Sequence, residues 1–170
     1  MTIRTCLCLI TRPAGGGREV LLGFKKTGFG AGRWVGLGGH IEDGEEPADA
    51  AVREVAEESG LVISPGALAH RAELTFVFPF RPAWNQTADV FVTGDFAGEP
   101  AESNEVIPRW FAVDALPLDG MWDDARYWLP VALAGERVVA RVTFAADCAT
   151  VAAIDPDLRP TAPSVRAKLG

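Results

Sequence analysis

Runs of β-compatible residues broken by two helical stretches predict a single α/β domain built on mixed strands. Three observations carry that expectation. The chain has 170 residues, with 48% hydrophobic and 23% charged, which suits one soluble domain with a sizeable core. Apolar or alternating segments at 3–10, 19–25, 69–78, 88–96 and 137–144 have strand length and composition. Helical patterning runs from Pro47 to Gly60 and again from Asp123 to Ala134. No repeat or linker divides the chain. The domain is expected over residues 1–154, with a flexible tail over 155–170, where Pro and small residues dominate.

Taken in order, Ile3 to Ile10 reads as a strand ended by the Pro-Gly cluster Pro13 to Gly17. Glu19 to Lys25 resumes as a second strand, expected to pair antiparallel with the first. Lys26 to Arg33 is a Gly-rich loop, and Trp34 to Leu37 a short extended piece. The first helix has Pro47 in its first turn, where a missing N–H costs nothing, and Gly60 as its stop. Strands at 69–78 and 88–96 flank a turn. Pro108 to Val113 is short and extended, and Leu116 to Trp122 is a loop. The second helix contains Pro130, which suggests a kink or a start at that residue. Arg137 to Phe144 alternates as a strand, and Val151 to Ile154 adds one more.

Charge and cysteine content narrow the function classes. A net charge of −7 and a pI near 4.8 argue against wrapping duplex nucleic acid, which calls for a basic face. Cys6, Cys8 and Cys148 make an odd count, which argues against a disulfide framework. Cys6 and Cys8 stand at i, i+2 and share one strand face. Small buried residues are the favoured reading over a zinc pair. The N-terminal apolar run is too short for a signal peptide and no run is long enough to cross a membrane, so a cytoplasmic protein is expected. A monomer is the expected state.

The first helix carries the chemistry. Glu54, Glu57 and Glu58 stand at i, i+3 and i+4, within roughly a 100° arc of one face. Ala48, Val52 and Val55 fall on the other side, so the helix is expected to dock by them and present the acids outward. Like charges at this spacing destabilise a helix by a few tenths of a kcal/mol per pair, so a cation is expected there, a divalent metal first.

The string Gly39-x5-Glu45-x7-Arg53-Glu54-Val55-x-Glu57-Glu58-x-Gly60-Leu61 resembles the Nudix box at every specified position. The segments Leu21 to Lys26 and Gly28 to Trp34, and later Met121 to Asp124 with Tyr127 and Trp128, resemble the MutT-like branch that hydrolyses oxidised purine nucleoside triphosphates such as 8-oxo-dGTP. The resemblance implies a Nudix fold, an α/β/α sandwich around a mixed β-sheet. It implies Mg2+, with Mn2+ as a substitute, and a small nucleotide substrate. By the same resemblance the metal ligands are Glu54, Glu57, Glu58 and Glu105 with backbone at Gly38 or Gly39. Arg53 stands one turn before Glu57, at i, i+4, where it can orient it by a charge-assisted hydrogen bond, and the resemblance implies that Glu45 helps fix the loop–helix geometry. Glu54 and Glu105 are both candidates for the general base.

The resemblance also places a base pocket. It is walled by Thr5, Phe29, Val35, Phe76, Phe78, Ala88, Trp122 and Trp128, with Asp123 or Asp124 at the base edge and Lys25 toward phosphate or sugar. Trp122 is the expected stacking partner; Phe76 and Phe78 read equally well as core. His40 and His70 are expected to do nothing catalytic. Two departures bear on specificity. Relatives carry Asn where this chain has Val35, and a valine cannot hydrogen-bond a base. Relatives also carry Trp-Pro-Asp-Asp. Without a gap the pair becomes Asp124 and Ala125; with the proline deleted it becomes Asp123 and Asp124. Both alignments fit the sequence.

Overall fold

A computed structural model describes residues 2–156. Its sheet has nine strands: β1 (Ile3–Ala14), β2 (Gly17–Lys25), β3 (Trp34–Val35), β4 (Leu37–His40), β5 (Ala69–Val77), β6 (Gln86–Thr93), β7 (Val106–Ala112), β8 (Val138–Phe144) and β9 (Val151–Asp155). The main path runs β3-β2-β1-β6-β5-β8-β9, with β4 on β1 and β7 on β2. The β1–β6 and β5–β8 pairs are parallel and the others antiparallel, so the sheet is mixed. Two helices cover its faces, α1 (Pro47–Ser59) and α2 (Ala125–Leu133).

The alternation of side chains along β1 builds both layers at once. Cys6, Cys8 and Ile10 point to the α1 side, where they pack with Leu21, Leu37, Ala51 and Val55. Leu7 and Leu9 point to the other side, with Leu22, Leu74, Val90 and Leu129 of α2. Cys6 and Cys8 are fully buried, and burial pushes their thiols up to about 11 and about 12. They behave as small core residues.

The sheet opens where β1 and β2 part. Their ladder covers Ile10–Leu21 to Ala14–Gly17. Toward the start of β1, its neighbour on that side becomes β4, with Thr5 opposite His40 and Cys8 opposite Leu37. The segment from Trp34 to His40 thus fills a wedge, pairing first with Gly23 and Phe24 of β2 and then with β1. A cleft forms at this wedge.

Several expectations need correcting. β1 continues through Pro13 to Ala14, because a two-residue hairpin turn at Gly15 and Gly16 lets the ladder run to its end. The glycines Gly38 and Gly39 lie in a strand of their own. β6 begins at Gln86 and stops at Thr93, and β7 begins at Val106. Helix α2 starts at Ala125, with Asp123 outside it and Pro130 in its interior, so Pro130 is not its start. β9 takes in Asp155, and the remainder of the expected tail, from residue 157, lies outside the described residues. No helix among the described residues is long and apolar enough to cross a membrane.

Candidate active site

Helix α1 docks differently from the sequence reading. Its buried residues are Ala50, Ala51, Glu54, Val55, Glu58 and Ser59, so two of the three acids lie on the docking side. Glycine makes this arrangement feasible. A Cβ on Gly39 would stand 2.7 Å from the Glu54 carboxyl, and one on Gly38 only 1.9 Å from the Cys6 carbonyl oxygen. Without side chains at these positions β4 lies close against both β1 and α1. The Gly38 N–H donates to Glu58 Oε1 at 2.8 Å, which fixes that carboxylate from the strand. Glu57 alone of the three is mostly exposed.

Arg53 braces the platform, through other partners than expected. Its Nε and NH2 donate to the two Glu45 carboxylate oxygens at 2.8 and 2.9 Å, a bidentate pair. Its NH1 donates to Glu54 at 2.9 Å, and NH2 also reaches the His40 carbonyl at 3.0 Å. The contact to Glu57 is long, at 3.5 Å. Glu45 in turn accepts the Glu42 N–H at 3.0 Å, closing the turn before α1. Arg53 therefore orients Glu54 more than Glu57. The hydrogen bonds from Arg53 hold the Glu45 carboxyl down at about 2.

The acids on the docking face are left short of positive charge. Burial pushes the Glu58 carboxyl up to about 8, against the pull of the Gly38 N–H. Burial also raises Glu54, with Arg53 opposing. Several carboxylates turned toward one cavity, with a glycine strand giving room beside them, form a hard oxygen donor set that fits a divalent cation such as Mg2+ or Mn2+. Glu105 faces the same cavity.

That cavity, about 490 Å³, runs from the carboxylates to an aromatic chamber on the α2 side of the sheet. Glu54, Glu57, Glu58, Gly38, Gly39 and Lys25 line one end, and Val35 lies between the ends. Thr5, Phe29, Phe76, Phe78, Ala88, Trp122 and Trp128 line the other. Phe29 stacks on Trp122 with centroids 5.0 Å apart and planes at 19°. Strand alternation explains the chamber: Thr5 on β1, Ala88 on β6 and Phe76 on β5 all face the α2 side. Thr5 donates to the Thr87 carbonyl at 2.7 Å.

The two aspartates separate. Asp124 lines the cavity, is buried, and accepts the Trp128 indole N–H at 2.7 Å. Burial pushes its carboxyl up to about 6. Asp123 does not line this cavity. It accepts the Val151 N–H at 2.8 Å and pairs with Arg126 at 3.0 Å, on the wall of a second cleft. Ala125 stands beside Asp124 in the cavity lining. The expectation of Asp123 as a pocket residue is corrected.

The sequence reading missed Trp84, Gln86 and Phe144, all in the cavity wall. Trp84 sits in a turn whose side-chain directions have no period to read. Phe144 had a signal: it continues the buried alternation Val138, Ala140, Val142 on β8. His70 lies outside the cavity lining, where its ligand atoms and those of Glu73 and Asp89 approach within 4.8 Å. Arg137 already donates to His70 Nδ1 at 3.0 Å and to Glu73 at 3.1 Å, so Nε2 carries the proton toward Asp89. A guanidinium fills this cluster and opposes a metal there.

A NUDIX domain model matches residues 1–132. The chain belongs to the NUDIX domain family. It is 38% identical over 138 residues to the oxidized purine nucleoside triphosphate hydrolase of Mus musculus and 40% identical to that of Danio rerio, each match covering 81% of this chain and 84% of the relative. Among solved structures it resembles a MutT protein from Bacillus halodurans, with TM-score 0.74 and 21% identity over 93% of this chain and 99% of that one. It also resembles a MutT NUDIX hydrolase from Burkholderia pseudomallei, with TM-score 0.59 and 26% identity over 69% and 88%. The Nudix box thus runs from the end of β4 through α1, and it supplies Glu54, Glu57 and Glu58 to the acidic end of the cavity.

Proposed function

We propose that this Nudix protein hydrolyses purine nucleoside triphosphates, oxidised ones such as 8-oxo-dGTP included, to the monophosphate and pyrophosphate. It acts on free nucleotides, as a cytoplasmic monomer. The observation that carries the reading is one cavity with two ends of opposite character. The carboxylate end suits a metal-complexed triphosphate, and the aromatic end suits a planar base.

Mg2+, or Mn2+ in its place, held by these carboxylates, would neutralise charge on the phosphates and make the attacking water easier to deprotonate. The protein's own residues do the rest. Glu54, Glu57, Glu58 and Glu105 hold the cation end, and Arg53 with Glu45 keeps Glu54 in place. Water adds at phosphorus, one P–O–P bond breaks, and pyrophosphate leaves. Glu54 and Glu105 are the candidates to take the water's proton. Lys25 faces the cavity where it can meet a phosphate, while Trp122 and Phe29, stacked on each other, form one wall of the base chamber.

The test is pyrophosphate release with Mg2+ from a panel of normal and oxidised purine triphosphates. Turnover is expected, with Glu57→Gln strongly impaired. No turnover above that control sinks the reading. Val35 and Ala125 favour a second reading, in which the same box acts on another diphosphate compound such as a dinucleotide or nucleotide sugar. A large preference for such a substrate in the same panel selects it.

A further inference from the structure

One loop makes three separate contacts with Trp122. Residues 26–33 join β2 to β3, and Gly28, Gly30 and Gly32 there have φ of 76°, 81° and 86°. These left-handed positions wind the loop tightly. Backbone bonds lock it: Ala31 N–H to the Gly28 carbonyl at 3.1 Å, Gly32 N–H to Lys25 at 2.8 Å, and Arg33 N–H to Gly30 at 3.2 Å. From this frame Phe29 stacks on the indole. A Cβ at Gly30 would lie 3.0 Å from the indole nitrogen, so the backbone runs tight against that ring edge. The Arg33 guanidinium carbon sits 4.0 Å from the Trp122 ring centroid.

Arg33 has no other evident task. Among the described residues no carboxylate pairs with it. It does not line the main cavity; it lines the second cleft instead. An indole is the best aromatic face for a cation, and a planar guanidinium can stack on it as an ammonium cannot.

We infer that Arg33 is a positioning residue for substrate binding, holding Trp122 in the orientation that walls the base end of the cavity. It does so from outside the cavity and touches no substrate. This rests on the reading of Trp122 as a base wall given under the proposed function. The base then meets a ring fixed before binding, so the cost of ordering Trp122 is not charged to affinity.

The experiment compares wild type with Arg33→Met, which keeps length and loses the cation, and Arg33→Lys, which keeps the cation. Each is also made in a Trp122→Phe background, so that the Trp122 emission is obtained by difference. Arg33→Met is expected to shift Trp122 emission and increase its acrylamide quenching. KM for the best purine triphosphate should rise about tenfold with kcat within about twofold. Arg33→Lys should fall between wild type and Arg33→Met. Unchanged emission and unchanged KM overturn the inference. So does a fall in kcat with KM unmoved. If the protein turns over no purine triphosphate, the functional reading fails by itself. The emission and quenching arm then decides on Arg33: a Trp122 signal indifferent to Arg33→Met overturns it, and a changed one supports it.

Discussion

The two ends of the cavity are built in opposite ways. At the acidic end, Glu45, Arg53, Glu54, Glu57 and Glu58 all come from one turn and one helix, and Gly38 and Gly39 from the strand just before. At the aromatic end, Phe29, Phe76, Trp84, Trp122 and Phe144 come from segments spread from the loop after β2 to β8. The acidic end is therefore mostly local and braced, with Glu54, Glu57 and Glu58 on one rigid helix and only Glu105, just before β7, coming from afar. The aromatic end exists only once the whole sheet has formed. In the proposed function, reaction chemistry is tied to the first and substrate choice to the second. The difference can be broken at either end.

The largest effect is expected at the braced end. Glu54→Gln keeps shape and an acceptor for Arg53 while removing a charge from the candidate metal set. It should lower kcat on the order of 10³-fold, with the melting temperature in metal-free buffer unchanged or raised, because burial already disfavours the charged form. Activity within tenfold of wild type would remove Glu54 from the chemistry.

Asp124 offers a test by stability at the aromatic end. Its carboxyl is pushed from 3.8 to about 6 by burial. Below about pH 4 both folded and unfolded states hold the proton, and the group costs nothing. Between the two values the unfolded chain ionises first, so stability falls as pH rises; above about pH 6 the loss is complete. Asp124→Asn removes the cost and can still accept the Trp128 N–H. It should match wild type at pH 4 and exceed it at pH 7.5 by on the order of 2–3 kcal/mol. Melting curves at the two pH values decide. An Asn variant weaker at pH 7.5 would mean that the charged form of Asp124 stabilises the fold.

What the sequence disclosed follows the same division. The acidic end was legible because its residues share a short string with fixed spacing, and the helix boundaries at Pro47 and Gly60 are written in residues with one strong preference each. The docking face was misjudged for a physical reason. Periodicity ranks side chains by polarity and expects acids outside, whereas Glu54 and Glu58 are tolerated inside because Gly38 and Gly39 make room and N–H groups and a guanidinium face them. At the aromatic end, alternation identified Phe76 and Phe78 as sharing a face. It could not identify Trp84, which sits on a turn. Nor could it choose between Asp123 and Asp124, because neither is in a periodic element: α2 begins at Ala125.

Val35 gives the next prediction. It lines the cavity as an apolar side chain between the two ends. Val35→Asn adds a donor and an acceptor. The ratio of kcat/KM between purine triphosphates that differ only at the base edge should shift by about tenfold, since a polar site rejects a mismatched edge more sharply than an apolar one. A constant ratio would show that residue 35 does not meet the base and that discrimination is set elsewhere in the chamber.

The smallest effect distinguishes the neighbouring acids. Asp123 makes structural bonds, to the Val151 N–H and to Arg126, and so ties the start of α2 to β9. Asp123→Ala should cost about 1–2 kcal/mol of stability through those bonds and leave KM within about twofold. Asp124→Ala, by contrast, opens the chamber floor and frees the Trp128 indole N–H, and should raise KM markedly more. If the two variants raise KM equally, both carboxylates meet the base, and the separation of Asp123 from the cavity does not survive substrate binding.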